Sequence, residues 1–172
     1  MEKILMLKED YKTINKIIKS ADKGRDIFGY IKITKDALYA TNGRSAFKRA
    51  YDFEVAPAGV YEIIKTDKAS AGFITLLIEK ADLEFPDIEG IYKGIEPLKA
   101  EDQFDITINT EPMVQTRAVL DLFKATKNAY SIELIQSFAS YGARWRVISH
   151  KEDGPAVLKY DDITMIILPF KE

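Results

Sequence analysis

Ala37-Leu38-Tyr39-Ala40-Thr41-Asn42-Gly43-Arg44-Ser45-Ala46-Phe47 places Asn-Gly between two strand-like runs. Asn-Gly in that setting is a strong short-range hairpin signal, because both residues tolerate positive φ. Before it, Phe28 to Thr34 alternates Ile31 and Ile33 with Lys32 and Thr34, and a reversal at Lys35-Asp36 leads into Ala37 to Thr41. After it, Arg44 to Phe53 continues as strand. Consecutive strands joined by tight reversals make an antiparallel sheet.

Working outward, Ile4 to Leu7 is a short apolar strand, and a helix is expected from about Glu9 to Lys23. Glu9 and Asp10 stand in its first turn, where acids suit the positive helix end, and Gly24 is placed to stop it. Downstream, Val60 to Thr66 and Phe73 to Glu79 read as two further strands, and residues 86 to 102, with Pro86, Gly90, Gly94 and Pro97, as a connecting loop. The order then repeats. Phe104 to Asn109 is a strand, Thr110 is the expected cap of a helix with Pro112 in its first turn, and that helix runs to about Asn128. Strands are expected at Tyr130 to Gln136, Ala143 to His150 and Ala156 to Leu168, the last interrupted by a turn at Asp161-Asp162. In the Ala143 strand Arg144 and Arg146 alternate with Trp145 and Val147, as one-sided burial requires. The fold class is therefore α+β: two βαβββ halves, approximately 1–84 and 103–172, joined by the loop 85–102 into a single domain spanning 1–172, with helices on one face of an antiparallel sheet.

In the first helix Lys12, Lys16, Lys19 and Lys23 fall at i, i+4, i+7 and i+11 and stack into one stripe, while Tyr11, Ile14, Ile17, Ile18 and Ala21 take the opposite side. Like charges so close repel by a few tenths of a kcal/mol per pair, a small cost that a polyanion would reverse through counterion release. The second helix is weakly basic: Arg117 and Lys124 share a face with Asp121 between them. Such contacts would go to the nucleic-acid backbone, since no helix-turn-helix, zinc-finger or RNA-binding signature accompanies them.

The 172 residues carry a net charge of −2, with 47% hydrophobic and 30% charged side chains, no cysteine and one histidine. Neither a disulfide nor a thiolate zinc site is available, and His150, beside Lys151, Glu152 and Asp153 at a strand end, has no metal-ligating neighbours of the right kind. No apolar run is long enough for a membrane span, and no signal peptide precedes the first strand, so a cytoplasmic protein is expected, with no cofactor and no metal. P-loop, nucleophile-elbow and dinucleotide-binding motifs are missing.

Three separated stretches carry a resemblance: Ala40-Thr41-Asn42-Gly43-Arg44-Ser45-Ala46, Phe85-Pro86-Asp87-Ile88-Glu89-Gly90-Ile91 and Ile166-Ile167-Leu168-Pro169-Phe170-Lys171. In that order they resemble segments of the bacterial DNA sliding clamp, the beta subunit of the replicative polymerase, that read roughly A-T-D-G-H-R-L, F-P-D-Y-R-R-V and M-P-M-R. The resemblance implies a DNA-clamp-like domain. It implies a pocket for partner peptides with Thr41, Gly43, Arg44, Ser45 and Ala46 as one wall, Pro86 and Ile91 as a second, and Leu168, Pro169 and Phe170 as a third. Clamp helices line the DNA channel, which implies a DNA-facing role for Lys12, Lys16, Lys19, Lys23, Arg117 and Lys124. Departures from the pattern are Asn42 for Asp, Arg44 for His, Ser45-Ala46 for Arg-Leu, and Phe170 for Met; they imply a reshaped pocket that ordinary clamp-binding peptides fit poorly.

The expected function is a non-catalytic, sliding-clamp-like processivity or scaffold factor in DNA replication. It would hold double-stranded DNA by its backbone, dock a polymerase or repair-protein peptide, and self-assemble into a homo-oligomer. Two alternatives stay open: a monomeric peptide-binding adaptor or decoy with no DNA encirclement, and a small metal-dependent enzyme of phosphate chemistry using paired acids such as Asp161-Asp162.

Overall fold

Strand β1 (Glu2–Leu7) runs straight into helix α1 (Lys8–Lys19). In the computed structural model, which describes residues 1–21, 26–68 and 70–170, α1 buries Asp10, Thr13, Ile14 and Ile17 and leaves Lys12, Lys16 and Lys19 exposed, so the amphipathic reading holds. The helix stops at Lys19 rather than Lys23. Ser20 closes it, its N–H bonding to Lys16 O at 3.0 Å and its hydroxyl donating to Ile17 O at 2.9 Å, which satisfies carbonyls the last turn leaves open. Lys23 and Gly24 lie outside the described residues.

The chain divides into two compact units, Met1–Ile88 and Glu89–Glu172. In the first, β2 (Tyr30–Ile33), β3 (Ala37–Thr41), β4 (Ser45–Ala50), β5 (Gly59–Lys68) and β6 (Phe73–Ala81) join β1 in the antiparallel order β1-β6-β5-β2-β3-β4. A 3-10 turn at Asp26–Gly29 takes the place expected for the start of the β2 strand. Helix α1 packs on β1, β3, β4 and β6, over a core that includes Ile14, Ile17, Ile31, Ile33, Leu38 and Phe47.

The second unit contains most of α2 (Ile88–Lys93), then β7 (Phe104–Ile108), α3 (Pro112–Thr126), α4 (Ile132–Gln136), β8 (Ala143–His150), β9 (Ala156–Tyr160) and β10 (Ile163–Ile167). Its strands lie in the antiparallel order β7-β8-β9-β10, with α3 packed on β7 and α4. Trp145 and Val147 are buried and Arg144 and Arg146 exposed, as the alternation requires. Phe138 and Trp145 meet edge to face at 5.0 Å, a favoured aromatic geometry, and Tyr160 flanks the indole at 5.4 Å.

Both units use the βαβββ order. In strand pairing they differ in that β7 pairs directly with β8, whereas the β5–β6 hairpin is inserted between β1 and β2. Each unit is thus α+β, with its long helix on an antiparallel sheet.

Several expectations are corrected. Tyr130 to Gln136 is not a strand: Ser131 caps α4 by accepting the Glu133 N–H at 3.2 Å, and the apolar residues that follow pack as helix. Residues 86–102 are not a plain loop. They hold α2 and a 3-10 turn at Ala100–Asp102, and three bonds strap them to the second sheet: Leu98 N–H to Ile148 O at 2.7 Å, Ser149 Oγ to Glu96 O at 2.8 Å, and Tyr92 OH to Thr164 O at 2.9 Å. Ile148 sits where β8 bulges between Val147 and Ser149, which frees its carbonyl for Leu98. Thr110 does not cap α3; the N-cap is Glu111, with no side-chain bond, and Asn109 Oδ1 takes the Glu111 N–H at 2.8 Å. Helix α3 ends at Thr126 rather than Asn128, because Lys127 turns left-handed at φ 61°.

Candidate DNA- and peptide-binding surfaces

The stripe of α1 is the clearest electrostatic feature of the first unit. Lys12, Lys16 and Lys19 are exposed along one side while the opposite side is fixed in the core, so the face presented is set by packing rather than by the lysines. Asp10 stands in the first turn of α1, as expected. Its side chain is buried there beside Arg49 of β4, Oδ2 to Nε at 3.6 Å, a partner that sequence gave no sign of. Tyr51 is next in the chain after β4. Burial, and secondarily the Asp10 charge, push its hydroxyl up to about 12, against a lowering by Arg49.

The loop between β3 and β4 is not the two-residue turn that Asn-Gly suggested. Thr41 pairs with Ala46 across the ladder, leaving Asn42–Ser45 as the connection, and of these Gly43 alone has positive φ, at 82°. Asn42 works through its side chain instead. Its Oδ1 accepts from Arg44 N at 2.9 Å, Ser45 N at 2.7 Å and Ser45 Oγ at 3.1 Å, and its Nδ2 donates to Ser20 Oγ at 2.8 Å. The loop is thereby tied to the end of α1. Thr41 Oγ1 donates to Ser45 O at 2.7 Å and accepts from Gly43 N at 3.1 Å.

Of the five residues expected as one wall, Thr41, Ser45 and Ala46 are therefore buried, and the two hydroxyls are already bonded within the loop; Gly43 and Arg44 are exposed. On its Cβ side the space at Gly43 is filled from within, by the ring of Phe28, whose Cζ would lie 3.0 Å from an added Cβ. Gly43→Ala is accordingly expected to destabilise the chain by about 1–2 kcal/mol, from left-handed strain and the Phe28 contact together. Thermal unfolding reads this as a lower Tm, and a Tm equal to the native value would mean that the loop relaxes at no cost.

Pro86, in the first unit, is half-buried between the buried Phe85 and Ile88, and its carbonyl accepts the Ile88 N–H at 2.7 Å. In the second unit Ile91 lies on α2, 54% exposed. Leu168, Pro169 and Phe170 follow β10, anchored by Phe170 N–H to Ala129 O at 2.8 Å, with the Phe170 side chain 60% exposed. Exposed Ile91, Leu168 and Phe170 are apolar surface of the kind that anchors a peptide.

Helix α3 is different from α1. Arg117 and Lys124 both approach Asp121, at 3.7 and 4.0 Å, so their charge is partly matched on the helix itself. Met113, Leu120 and Phe123 are exposed on the same helix, Met113 by 85%. Beside it a groove of about 480 Å³ runs between the helix and β7. Ile106, Val114 and Ala118 give it an apolar floor; Thr107, Arg144, Arg117 and the acids Asp105 and Asp121 give it polar sides. Asp105 is held by Arg146 through Nε at 2.8 Å and Nη2 at 3.2 Å, and this hydrogen-bonded guanidinium keeps its carboxyl below the ordinary carboxylate range. Composition gave no sign of the groove; the polar side of the Arg144-Trp145-Arg146 alternation was its one visible signal.

His150 packs edge-on to Phe104 at 6.4 Å. Among the described residues no three His, Cys, Asp or Glu side chains gather as a metal site, and no helix is long and apolar enough to cross a membrane.

The fold is that of the bacterial DNA sliding clamps. DNA polymerase III subunit beta from Borrelia burgdorferi, solved with a natural product, aligns with a TM-score of 0.53 and 13% identity over 99% of this chain and 64% of its own. The Thermotoga maritima beta subunit gives 0.52 and 9% over 99% and 65%, and the Helicobacter pylori beta clamp bound to a DNA ligase peptide gives 0.50 and 10% over 99% and 66%. The chain thus spans just under two-thirds of the length of the solved clamps it matches. No family model matches the sequence, and no curated protein does. At this identity the likeness is one of fold.

Proposed function

We propose that this chain is a non-catalytic, sliding-clamp-like scaffold that follows the backbone of double-stranded DNA without reading bases and brings a replication or repair protein to it. The observation that carries the reading is the exposed Lys12, Lys16 and Lys19 face of α1 on a clamp-type fold. Arg117 and Lys124 contribute less, because Asp121 offsets them. A partner peptide would be met in the second unit by Ile91, Leu168, Pro169 and Phe170; of the residues expected in the first unit, Gly43 and Arg44 are exposed and Pro86 is half-buried. Thr41, Ser45 and Ala46 would support the loop from beneath. The two halves would serve as one clamp-like domain, and several copies would associate through the sheet-end strands β1 and β7, since an unpaired strand edge is a ready template for another chain.

The test joins two measurements. Fluorescence anisotropy with two duplexes of unrelated sequence is expected to give equal affinities that fall linearly in log–log with salt. Size-exclusion chromatography with light scattering is expected to show a mass of several copies. Base-dependent affinity, or none at low salt, would sink the DNA reading. The adaptor reading is favoured by one observation, the apolar outer face of α3 with Met113, Leu120 and Phe123 exposed. A monomer at every concentration with no DNA affinity would select it.

A further inference from the structure

We infer that Asn42 is a latent site of self-modification, deamidation through the backbone of Gly43, which the fold keeps shut by tying Asn42 to Ser20. Asn42-Gly43 is the one Asn-Gly pair in the sequence. Glycine has no Cβ to shield its nitrogen or to stiffen the backbone, so in an open chain the Gly43 nitrogen reaches Asn42 Cγ readily. A bond forms between the two atoms, the Cγ–Nδ2 bond breaks, and ammonia leaves with the proton of the Gly43 amide. Water then opens the five-membered ring at either carbonyl. The product is an aspartate at position 42 or its isomer, in which the main chain runs through Cβ and Cγ.

In the folded loop each polar atom of that reaction is held elsewhere. Oδ1 accepts from Arg44 N at 2.9 Å, Ser45 N at 2.7 Å and Ser45 Oγ at 3.1 Å. Nδ2 donates to Ser20 Oγ at 2.8 Å, and the Gly43 N–H donates to Thr41 Oγ1 at 3.1 Å. Asn42 is 8% exposed, so the water that must open the ring is largely kept out as well. The bonds to Oδ1 and to Gly43 lie within the loop. The bond to Ser20 crosses to the end of α1, 22 residues away in the chain. Ring closure therefore waits for the loop to open locally, and the Ser20 tie sets part of the cost of opening.

An amide and a carboxylate are not equivalent at this position. The Ser20 hydroxyl has one proton, given to Ile17 O at 2.9 Å, while its oxygen takes the Asn42 amide. A carboxylate has no N–H to offer. Either the proton leaves Ile17 O or the tie is lost. The new charge would also stand at the C-terminal end of α1, the negative pole of the helix. Deamidation would thus untie the β3–β4 loop from α1, and the lost ammonia makes the change irreversible. The isomer lengthens the main chain directly beside the last ladder pair, Thr41 and Ala46. This inference depends on neither DNA nor peptide binding.

The test incubates the full chain at mildly alkaline pH, folded and in urea, and follows the tryptic peptide of residues 36–44 by mass and isoaspartate content. The folded chain is expected to deamidate at Asn42 at least about tenfold more slowly than the chain in urea. Ring closure is slow beside loop opening, so the rate tracks the open population. Ser20→Ala is expected to react about fivefold faster than the native chain when folded, the worth of one ordinary hydrogen bond. In urea its rate is expected to be native, because Ser20 meets Asn42 only through the fold. Ser137→Ala removes a hydroxyl bond to Leu134 O in the second unit and is expected to leave the folded rate unchanged. Equal rates folded and in urea, a native rate in folded Ser20→Ala, or the same acceleration in Ser137→Ala would each overturn the inference.

Discussion

Asp10→Ala is expected to lower the unfolding free energy by about 3 kcal/mol, the low end for breaking a buried ion pair. Asp10 is 1% exposed and the Arg49 side chain 14%, so the loss leaves a cation that is largely cut off from water. At 3.6 Å the approach is an ion pair rather than a hydrogen bond, and the buried Arg49 Nε has no hydrogen-bond partner among the described residues. Adding Arg49→Met to Asp10→Ala is expected to recover part of the loss, because the uncompensated charge is then gone. Tyr51 gives a second, independent readout. Its hydroxyl is held up to about 12 by burial first and by Asp10 second, above the value near 10 in the unfolded chain. The folded state thus favours the neutral phenol. That contribution is intact below pH 10 and is lost as pH rises toward 12. Removing Asp10 should move the tyrosinate absorbance step of Tyr51 downward, which Tyr51→Phe identifies by deleting it. An Asp10→Ala chain within about 0.5 kcal/mol of the native one, with the step unmoved, would mean that the pair contributes nothing beyond what its neighbours supply.

The elements that sequence revealed are those in which one periodicity acts alone. In α1 the 3.6-residue spacing of Ile14 and Ile17 against Lys12, Lys16 and Lys19 survives intact in the structure, and in β8 the alternation around Trp145 does too. The misread elements are those in which two signals compete. Tyr130 to Gln136 carries enough apolar residues to pass for a strand, yet Ser131 followed by Glu133 is a helix start, and the cap settled it. Asn42-Gly43 does join an antiparallel hairpin, but not as a two-residue turn, because Asn42 finds better partners in Ser20, Arg44 and Ser45 than a left-handed backbone would give it. Asp10 could not be read at all from its own surroundings, since a carboxylate in a first turn has an adequate local role and its buried partner lies on a strand that reaches it only in three dimensions. The same holds for the β3–β4 loop as a binding wall. The letters Thr41, Ser45 and Ala46 match a peptide-binding pattern, but burial and hydrogen bonding are properties of the folded loop, and they leave Gly43 and Arg44 facing outward.

Replacing Lys12, Lys16 and Lys19 together by glutamine is expected to flatten the log–log dependence of DNA affinity on salt by about 3, close to 0.9 for each phosphate no longer neutralised. Between 50 and 200 mM salt a slope of that size is worth roughly 40-fold in affinity, so the effect stands clear of measurement error. The loss cannot be ascribed to unfolding. The three side chains are exposed on a helix whose core face is Thr13, Ile14 and Ile17, and removing like charges three and four residues apart relieves a few tenths of a kcal/mol per pair. Lys16 and Lys19 in the last turn do favour the negative helix end, which offsets that relief and leaves stability near the native value. Arg117 and Lys124 supply the internal control. With Asp121 between them, their joint change to glutamine is expected to alter the slope by less than 1, although it removes two cations. If charge count alone governed association, the two sets would scale with the number of residues changed. If the α1 stripe is the surface that meets the duplex, three lysines outweigh the other pair several-fold, and only that inequality separates a DNA-facing helix from a solvated one.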